Sequence, residues 1–201
     1  MAKAKKAAEA VLEADAAVAE AAVPHHRSVP VQLLDRFASL GDQPPLRVLC
    51  GSVIAVGLLG GDRRLTRAGL RMLASHTLAT WTKDLIKNRV DRTRPRSMSK
   101  QGKDHRPRPG SDSSKEETSF PSGHSAGAAA VAAAFAAEYP EHRAGAWAGG
   151  AALALAQIPR CAHYPTDVGA GLAIGAAADL AIGAGLALWN GREEGEEDEF
   201  Q

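Results

Sequence analysis

Phe120-Pro121-Ser122-Gly123-His124 joins a long polar segment to the first uninterrupted apolar run of small residues. A proline followed by Ser-Gly-His at a helix start leaves backbone N–H groups unpaired, and such groups receive anions such as phosphate. A histidine at that position can transfer protons to and from the bound group. The motif alone is weakly specific, because many helices begin with Ser-Gly and most histidines take no part in chemistry.

The composition predicts one domain with a core of small side chains. The chain has 201 residues, of which 45% are hydrophobic but 4% aromatic, and Ala and Gly dominate the apolar residues. Such a core depends on close approach between backbones. The formal net charge of +1 is unlike that of a strongly basic nucleic-acid-binding protein, so we expect no nucleic-acid partner.

Changes in composition divide the chain into three parts. Residues 1–30 predict a polar N-terminal helix, solvated or interfacial, and a linker, and they lack the clean apolar centre of a signal peptide. Residues 31–190 hold the apolar segments and begin with a helical pattern over 31–40. Residues 191–201 form an acidic tail that we expect to be disordered.

The apolar segments predict an all-α helical bundle. They lie at roughly 48–61, 65–86, 122–138, 144–158 and 167–190. Most are shorter than the roughly 20 apolar residues of a spanning helix. Hydropathy alone therefore leaves a soluble, alanine-rich bundle as an alternative to a membrane protein.

Two features favour an integral membrane bundle of about five spanning helices with an N-terminal amphipathic helix. Two glycine pairs have the four-residue spacing that lets helices touch in lipid: Gly145 with Gly149, and Gly171 with Gly175. Segment 167–190 is apolar except for Asp179. A lone carboxylate in such a segment usually faces a protein partner or a cavity.

Two cations flank the start of the polar segment 88–119. Lys87 precedes it, and Arg94-Pro95 follows after six residues. Arginine offers a planar fork of donors and lysine a point charge, a combination that suits phosphate oxygens. A loop of this length is more often functional than idle, but many neighbouring Lys and Arg residues also fit an ordinary solvated loop.

A second histidine, His163, stands four residues before Asp167 at another predicted helix start. A bond from the Asp167 carboxylate to one ring nitrogen would fix the tautomer and raise the basicity of the other nitrogen, as a nucleophilic imidazole requires. The alternative is an N-capping aspartate beside a structural histidine.

Together these segments resemble the tripartite signature of the type 2 phosphatidic acid phosphatase superfamily of lipid phosphatases, bacterial acid phosphatases and vanadium haloperoxidases. That signature is Lys, six residues, Arg-Pro; then Pro-Ser-Gly-His; then Ser-Arg, five residues, His, three residues, Asp. The matching residues are Lys87, Arg94, Pro95, Pro121, Ser122, Gly123, His124, His163 and Asp167. The resemblance covers roughly residues 46–190.

The third motif departs from the family at its arginine. Gln157 occupies that position, and Ala156 replaces the preceding serine. Arg160 lies three residues further on and would share a face with position 157 on a continuing helix, although Pro159 can end that helix. Either Arg160 replaces the missing phosphate ligand or the site has lost one cation.

The resemblance implies a lipid phosphatase that works through a phosphohistidine. By analogy His163 attacks phosphorus, and Asp167 orients the His163 ring. His124 protonates the leaving oxygen and then activates water. The implied phosphate ligands are Lys87, Arg94, Arg160, Ser122 and Gly123. The resemblance implies neither a metal nor a cofactor.

The implied substrates are amphiphiles whose phosphate lies at the membrane interface: phosphatidate, phosphatidylglycerophosphate, or polyprenyl phosphates and diphosphates. We expect the protein in the cell membrane, the inner membrane of a bacterium, with the site facing outward. The basic turn at 61–64 favours that orientation, whereas the basic N-terminus favours the reverse. The orientation therefore depends on analogy with the family's bacterial lipid phosphatases.

Two other interpretations stay open from the residues. His124, His163 and Asp167 are three ligands of the kind that zinc uses, although Lys87 and Arg94 would then place two cations beside a third. Alternatively, the protein binds a lipid phosphate or serves as an assembly partner without turnover, and Gln157 marks lost activity. The sequence does not indicate the oligomeric state.

Overall fold

Eight α-helices account for most of the part of the chain that the computed structural model describes, residues 2–101 and 105–199. They are α1 (Ala2–Ala22), α2 (Val29–Ala38), α3 (Gln43–Gly60), α4 (Arg63–Lys87), α5 (Pro95–Gln101), α6 (Gly123–Glu138), α7 (Arg143–Leu155) and α8 (Pro165–Glu199). Single 3-10 turns at Val23–His25, Ser39–Gly41 and Pro140–His142 join some of them. The predicted all-α fold is confirmed.

Helix boundaries follow local signals in the sequence. Gly61 ends α3 with a φ of 68°, a left-handed conformation that glycine adopts without steric cost. Asp62 then caps α4, because its side chain accepts a hydrogen bond from the Leu65 N–H at 3.0 Å. These two residues turn the chain sharply and place α3 beside α4.

The polar segment 88–119 contains more regular structure than the sequence predicts. It holds α5 and two short antiparallel strands, β1 (Val90–Asp91) and β2 (Arg108–Pro109). Each strand has two residues, too few to produce a periodic pattern. Two further backbone hydrogen bonds connect the start of the segment with its end. The Arg92 N–H donates to the Glu117 carbonyl at 2.6 Å, and the Arg94 N–H donates to the Glu116 carbonyl at 2.8 Å.

Helix α6 is the centre of the bundle and packs against α4, α7 and α8. Nine of its residues are buried, most of them alanine. A Cβ atom at Gly175 of α8 would lie 2.3 Å from the Ala126 carbonyl oxygen, and one at Gly171 would lie 2.5 Å from that of Ser122. The predicted close approach at Gly171 and Gly175 is therefore confirmed.

The other glycine pair does not make such a contact. A Cβ atom at Gly145 or Gly149 would meet nothing within 4 Å among the described residues, so the prediction for that pair was wrong. Gly150 makes the contact instead, because a Cβ there would lie 3.0 Å from Ala132 Cβ on α6. Spacing alone does not identify which face of α7 is turned inward.

Asp179 of α8 faces a protein partner, as its place in an apolar segment predicts. Arg71 of α4 donates to it from Nε at 2.8 Å and from Nη2 at 3.0 Å, and the Ser75 hydroxyl donates at 3.0 Å. This bidentate pair connects α4 with α8 inside the bundle.

Two described helices are long and apolar enough to cross a membrane, by length and composition. They are Gln43–Gly60, with mean hydropathy 1.3, and Pro165–Trp189, with mean hydropathy 1.8. In the 18-residue stretch of each helix that decides this, 17% and 22% of the residues, respectively, are buried inside the protein. Their apolar surfaces thus face mostly outward, unlike those of a soluble core helix. The expected five spans are not confirmed, because α6 and α7 are too short and α4 carries many charges.

The two ends of the chain are also helical. The predicted N-terminal helix corresponds to α1, but it is not fully solvated, because the Asp15 side chain is buried. The helix predicted over 31–40 corresponds to α2, which begins at Val29 and ends at Ala38. Helix α8 extends to Glu199, into the segment for which the sequence predicts disorder.

The packing of α8 on α6 predicts that an added methyl group has different effects at two glycines of α8. Gly175→Ala should lower the free energy of unfolding by about 1–3 kcal/mol, because the added methyl overpacks the contact with α6. Gly185→Ala is the control, since a Cβ there meets nothing within 4 Å. Thermal unfolding in detergent measures both, and an equal loss in the two variants would contradict the packing described.

Candidate active site

A cavity of about 580 Å³ opens where the polar segment meets the helix ends. Six of the eight predicted site residues line it: Lys87, Arg94, Gly123, His124, Arg160 and His163. The other two, Ser122 and Asp167, lie behind its wall with 0% of their surface exposed. The fold thus brings all three sequence motifs to one place.

The imidazole of His163 is oriented by a backbone carbonyl. Its Nδ1 lies 2.7 Å from the carbonyl oxygen of Ser119. Because a carbonyl can only accept, Nδ1 carries the proton and Nε2 keeps its lone pair. That is the tautomer required for attack by Nε2.

The protonation state of His163 also suits a nucleophile. Burial lowers the pKa of His163 to about 4, and the positive charges of Arg94 and Lys87 act in the same direction, while Asp167 opposes them. The ring is therefore neutral at neutral pH, and its lone pair is available.

Asp167 lies beside His163 without a hydrogen bond to its ring. Its Oδ2 is 3.8 Å from His163 Nδ1, too long for such a bond. Oδ2 instead accepts from the Ser119 hydroxyl at 2.5 Å and from the Tyr164 N–H at 2.9 Å, while Oδ1 accepts from Arg92 Nη1 at 2.5 Å. Asp167 therefore acts on His163 through its charge, and Ser119 fixes the ring.

His124 stands at the first turn of α6, across the same cavity. Its Nε2 lies 2.8 Å from Asp42 Oδ1, an ion-pair distance, although the angles do not make a hydrogen bond. Ser122 forms the helix cap, since its hydroxyl oxygen accepts from the Ser125 N–H at 3.3 Å. The Ser122 N–H donates to the Asp167 carbonyl at 3.0 Å, which ties the start of α6 to the start of α8.

Lys87 and Arg94 converge on the carbonyl of Thr118. Lys87 Nζ donates to it at 2.8 Å and Arg94 Nη2 at 3.3 Å. Arg94 also donates from Nε to the Lys115 carbonyl at 2.6 Å and from Nη1 to the Ala162 carbonyl at 3.2 Å. Neutral carbonyls orient these cations without cancelling their charge, so the charge stays available to an anion.

Burial and neighbouring positive charges lower the pKa values of both Lys87 and Arg94. Burial, with the neighbouring charges of Arg94 and Lys83, lowers the pKa of Lys87 to about 7. Burial and the charge of Arg96 lower the pKa of Arg94 to about 10. A bound anion would relieve this repulsion, which is the behaviour of an anion-binding site.

Arg160 lines the cavity and contacts Gln157, which stands at the family's arginine position. Helix α7 ends at Leu155, so Arg160 lies on the turn that follows and not on a continuing helix. Its Nη1 donates to Gln157 Oε1 at 2.9 Å, and its Nε donates to Asp35 Oδ1 at 2.5 Å. The guanidinium therefore lies at the tip of the Gln157 side chain, with a carboxylate of α2 as its counter-ion.

Sequence reasoning missed four residues of this site. Lys83 lines the cavity one helical turn before Lys87, and this four-residue spacing was a detectable signal. Asp42, Ser119 and Arg92 gave no signal, because the fold brings them to the histidines from distant segments.

The carboxylates and imidazoles of this region bear on whether the site can hold a metal ion. Among the residues whose side chains the structure describes, no group of three or more His, Cys, Asp or Glu is arranged to hold a metal ion. Asp167, one ligand of the zinc alternative, has both oxygens bound to protein donors.

The lowered pKa of Lys87 predicts how anion binding changes with pH. The ammonium is charged below about pH 7 and loses its charge as the pH rises through that value, so affinity should fall on the alkaline side. Lys87→Arg should keep its affinity there, because arginine stays charged. Titration calorimetry with tungstate, whose charge is constant over this range, measures both proteins; parallel losses of affinity would contradict the prediction.

Known proteins resemble this chain in sequence and in fold. Residues 68–187 match the model of the PAP2 superfamily. A crystal structure of the first transmembrane PAP2 type phosphatidylglycerolphosphate phosphatase from Bacillus subtilis has a similar fold, with a TM-score of 0.59 and 21% sequence identity, over 87% of this chain and 85% of that chain. Comparison with curated proteins gave no match. Since the family model spans more than half of the chain, and the three motifs meet in one cavity, the protein belongs to the PAP2 superfamily.

Proposed function

We propose that the protein is a phosphatase that hydrolyses a phosphomonoester or diphosphate of a membrane lipid through a phosphohistidine intermediate. One observation carries the proposal above others. His163 is neutral, holds its proton on the nitrogen that faces Ser119, and lines a cavity that also contains Lys87 and Arg94. A free imidazole lone pair beside unneutralised cations is the arrangement that in-line attack on phosphorus requires.

In the first step, His163 Nε2 forms a bond to phosphorus as the bond from phosphorus to the leaving oxygen breaks. His124 donates a proton to that oxygen, so the lipid leaves as a neutral alcohol or, from a diphosphate, as a monophosphate. His163 keeps its Nδ1 proton and becomes cationic. The Asp167 carboxylate, 3.8 Å away, stabilises this positive charge.

In the second step, His124 accepts a proton from water while the water oxygen attacks phosphorus. The bond from phosphorus to His163 breaks, inorganic phosphate leaves, and both rings return to their starting states. His124 thus acts first as a general acid and then as a general base.

Charge on the phosphate oxygens is balanced by Lys87, Arg94 and Arg160, with the N–H of Gly123 at the start of α6. Ser122 contributes by capping that helix, since its hydroxyl already accepts hydrogen bonds from Ser125. These groups supply the stabilisation that a metal provides in other phosphatases. We therefore propose a reaction that needs neither metal nor cofactor.

A lipid substrate is supported by an apolar cavity beside the polar one. This second cavity, of about 380 Å³, is lined by residues such as Leu40, Leu46 and Leu153. Leu40 adjoins Gly41, which lines the polar cavity. A phosphate in the polar cavity and a hydrocarbon chain in the apolar one fit an amphiphile better than a water-soluble phosphate.

Within that class we propose phosphatidate, phosphatidylglycerophosphate and polyprenyl diphosphate as substrates. The name of the Bacillus protein, a phosphatidylglycerolphosphate phosphatase, supports the second. We also propose the bacterial inner membrane as the location, with the cavity opening on the outer side.

Loss of His163 should abolish catalysis without unfolding the protein. His163→Ala should reduce phosphate release from these three lipids at least about 1000-fold, because no nucleophile remains. His25→Ala, which changes an exposed histidine, should leave the rate unchanged. A malachite-green assay on purified protein in detergent, with and without EDTA, measures phosphate release.

Appreciable turnover by the His163→Ala variant would remove this residue as the nucleophile. Inhibition by EDTA would instead support a metal-dependent reaction. Absence of turnover by the wild-type protein on every lipid would favour a lipid-binding or assembly role.

Arg160 should behave as the working replacement for the family arginine. Arg160→Gln should lower kcat/KM about 10- to 100-fold, the cost of losing a charged hydrogen bond to phosphate. Gln157→Arg alone should change kcat/KM little, and in the double variant it should restore most of the loss. A large gain from Gln157→Arg alone would show that the wild-type site lacks a cation.

A further inference from the structure

Helix α1 is held against the bundle mainly by a buried carboxylate. Its buried side chains are those of Asp15 and Ala19, at 2% and 4% exposure, whereas Val11 and Val18 are 50% and 39% exposed. Apolar burial therefore contributes little to its position. A buried carboxylate must find charged or hydrogen-bonding partners to offset its lost hydration, so the partners of Asp15 help to fix α1, together with the contact of 3.1 Å between His105 Nε2 and the Leu12 carbonyl.

Those partners lie beside Asp167, behind the wall of the cavity. Asp15 Oδ2 accepts a hydrogen bond from Arg92 Nη2 at 2.7 Å, and its Oδ1 accepts from the Thr166 N–H at 3.1 Å. The Thr166 hydroxyl also donates to Asp15. Thr166 immediately precedes Asp167, so α1 is bonded to the turn that carries the carboxylate beside His163.

Arg92 lies between two carboxylates in the interior. Its side chain is 0% exposed, with Nη2 bound to Asp15 and Nη1 bound to Asp167 at 2.5 Å. Its guanidinium carbon lies 4.1 Å from the centre of the Tyr164 ring, a cation–π contact that further fixes its plane. Asp15, Arg92 and Asp167 thus form a row of three charges, in which each terminal nitrogen of the guanidinium group binds one carboxylate.

The row carries one net negative charge, and that charge depends on Asp15. If Asp15 were neutral, Arg92 and Asp167 would balance each other, and little negative charge would remain near His163. His163 turns cationic when it bonds to phosphorus, and a fixed negative charge in a dry interior stabilises a cation strongly. Asp15 lies outside the family match, which begins at residue 68.

We propose that Asp15 is a positioning residue of the active site. By sharing Arg92 with Asp167, it holds the Asp167 carboxylate in place and leaves a net negative charge beside His163 when that ring bonds to phosphorus. Asp15 touches no substrate and acts through Arg92 and Asp167. This inference rests on the proposed function and makes α1 part of the catalytic machinery.

The test compares two anions on the full chain in detergent. Orthovanadate forms a bond to the attacking nitrogen, whereas inorganic phosphate is held by the cavity cations without that bond. Asp15→Asn, which keeps the shape but removes the charge, should weaken orthovanadate binding about fivefold to tenfold and leave phosphate binding within about twofold. Glu13→Gln removes an exposed charge from the same helix and should change neither affinity.

Turnover gives a second readout. Asp15→Asn should lower kcat on a lipid phosphate by a similar factor and leave KM unchanged, because the residue acts when the bond to phosphorus forms. Thr166→Val, which removes the bridging hydroxyl without changing any charge, should weaken orthovanadate binding about fourfold and leave phosphate binding within about twofold. The Thr166→Val variant provides the test if Asp15→Asn does not fold.

Equal orthovanadate affinity in Asp15→Asn and wild type would overturn the proposal. Equal weakening of both anions would also overturn it, because that pattern indicates general loosening of the cavity. An unchanged Thr166→Val protein counts against it where Asp15→Asn does not fold. Wild-type protein that binds orthovanadate but hydrolyses no lipid would contradict the proposed function alone, whereas wild type that binds neither anion would overturn both.

Discussion

The contact between the N-terminal parts of α6 and α8 determines the rest of the site. Gly171 and Gly175 let the backbones approach so closely that no side chain fits between them, and the Ser122 N–H reaches the Asp167 carbonyl. This contact sets the spacing between the segments that carry His124 and His163. Small side chains are therefore essential here, because bulkier ones would separate the two histidines.

The two histidines beside that contact have different neighbours. His163 is buried, oriented by a carbonyl and kept neutral, whereas His124 is partly exposed, and burial lowers its pKa while the Asp42 carboxylate beside it raises the pKa. The fold thus gives each ring a distinct electrostatic environment. Two of the cations that line the cavity, Lys87 and Arg94, are held by neutral carbonyls, which preserve their charge for the anion.

The sequence predicts what depends on local pattern and misses what depends on distant contacts. The helices, the glycine contact at 171 and 175 and the partner of Asp179 follow from periodicity, small-residue spacing and the cost of a lone charge. Ser119, which orients His163, lies in the aperiodic polar segment. The inward face of α7 and the position of Arg160 depend on where α7 stops, which no pattern specifies.

The bidentate pair between Arg71 and Asp179 has a consequence for biogenesis. An isolated α8 would bring an uncompensated carboxylate into hydrocarbon, which is costly, and Arg71 on α4 removes that cost. Helix α4 precedes α8 in the chain and so emerges first from the ribosome. The placement of α8 thus depends on α4, so a chain that lacks α4 leaves the Asp179 carboxylate without its arginine.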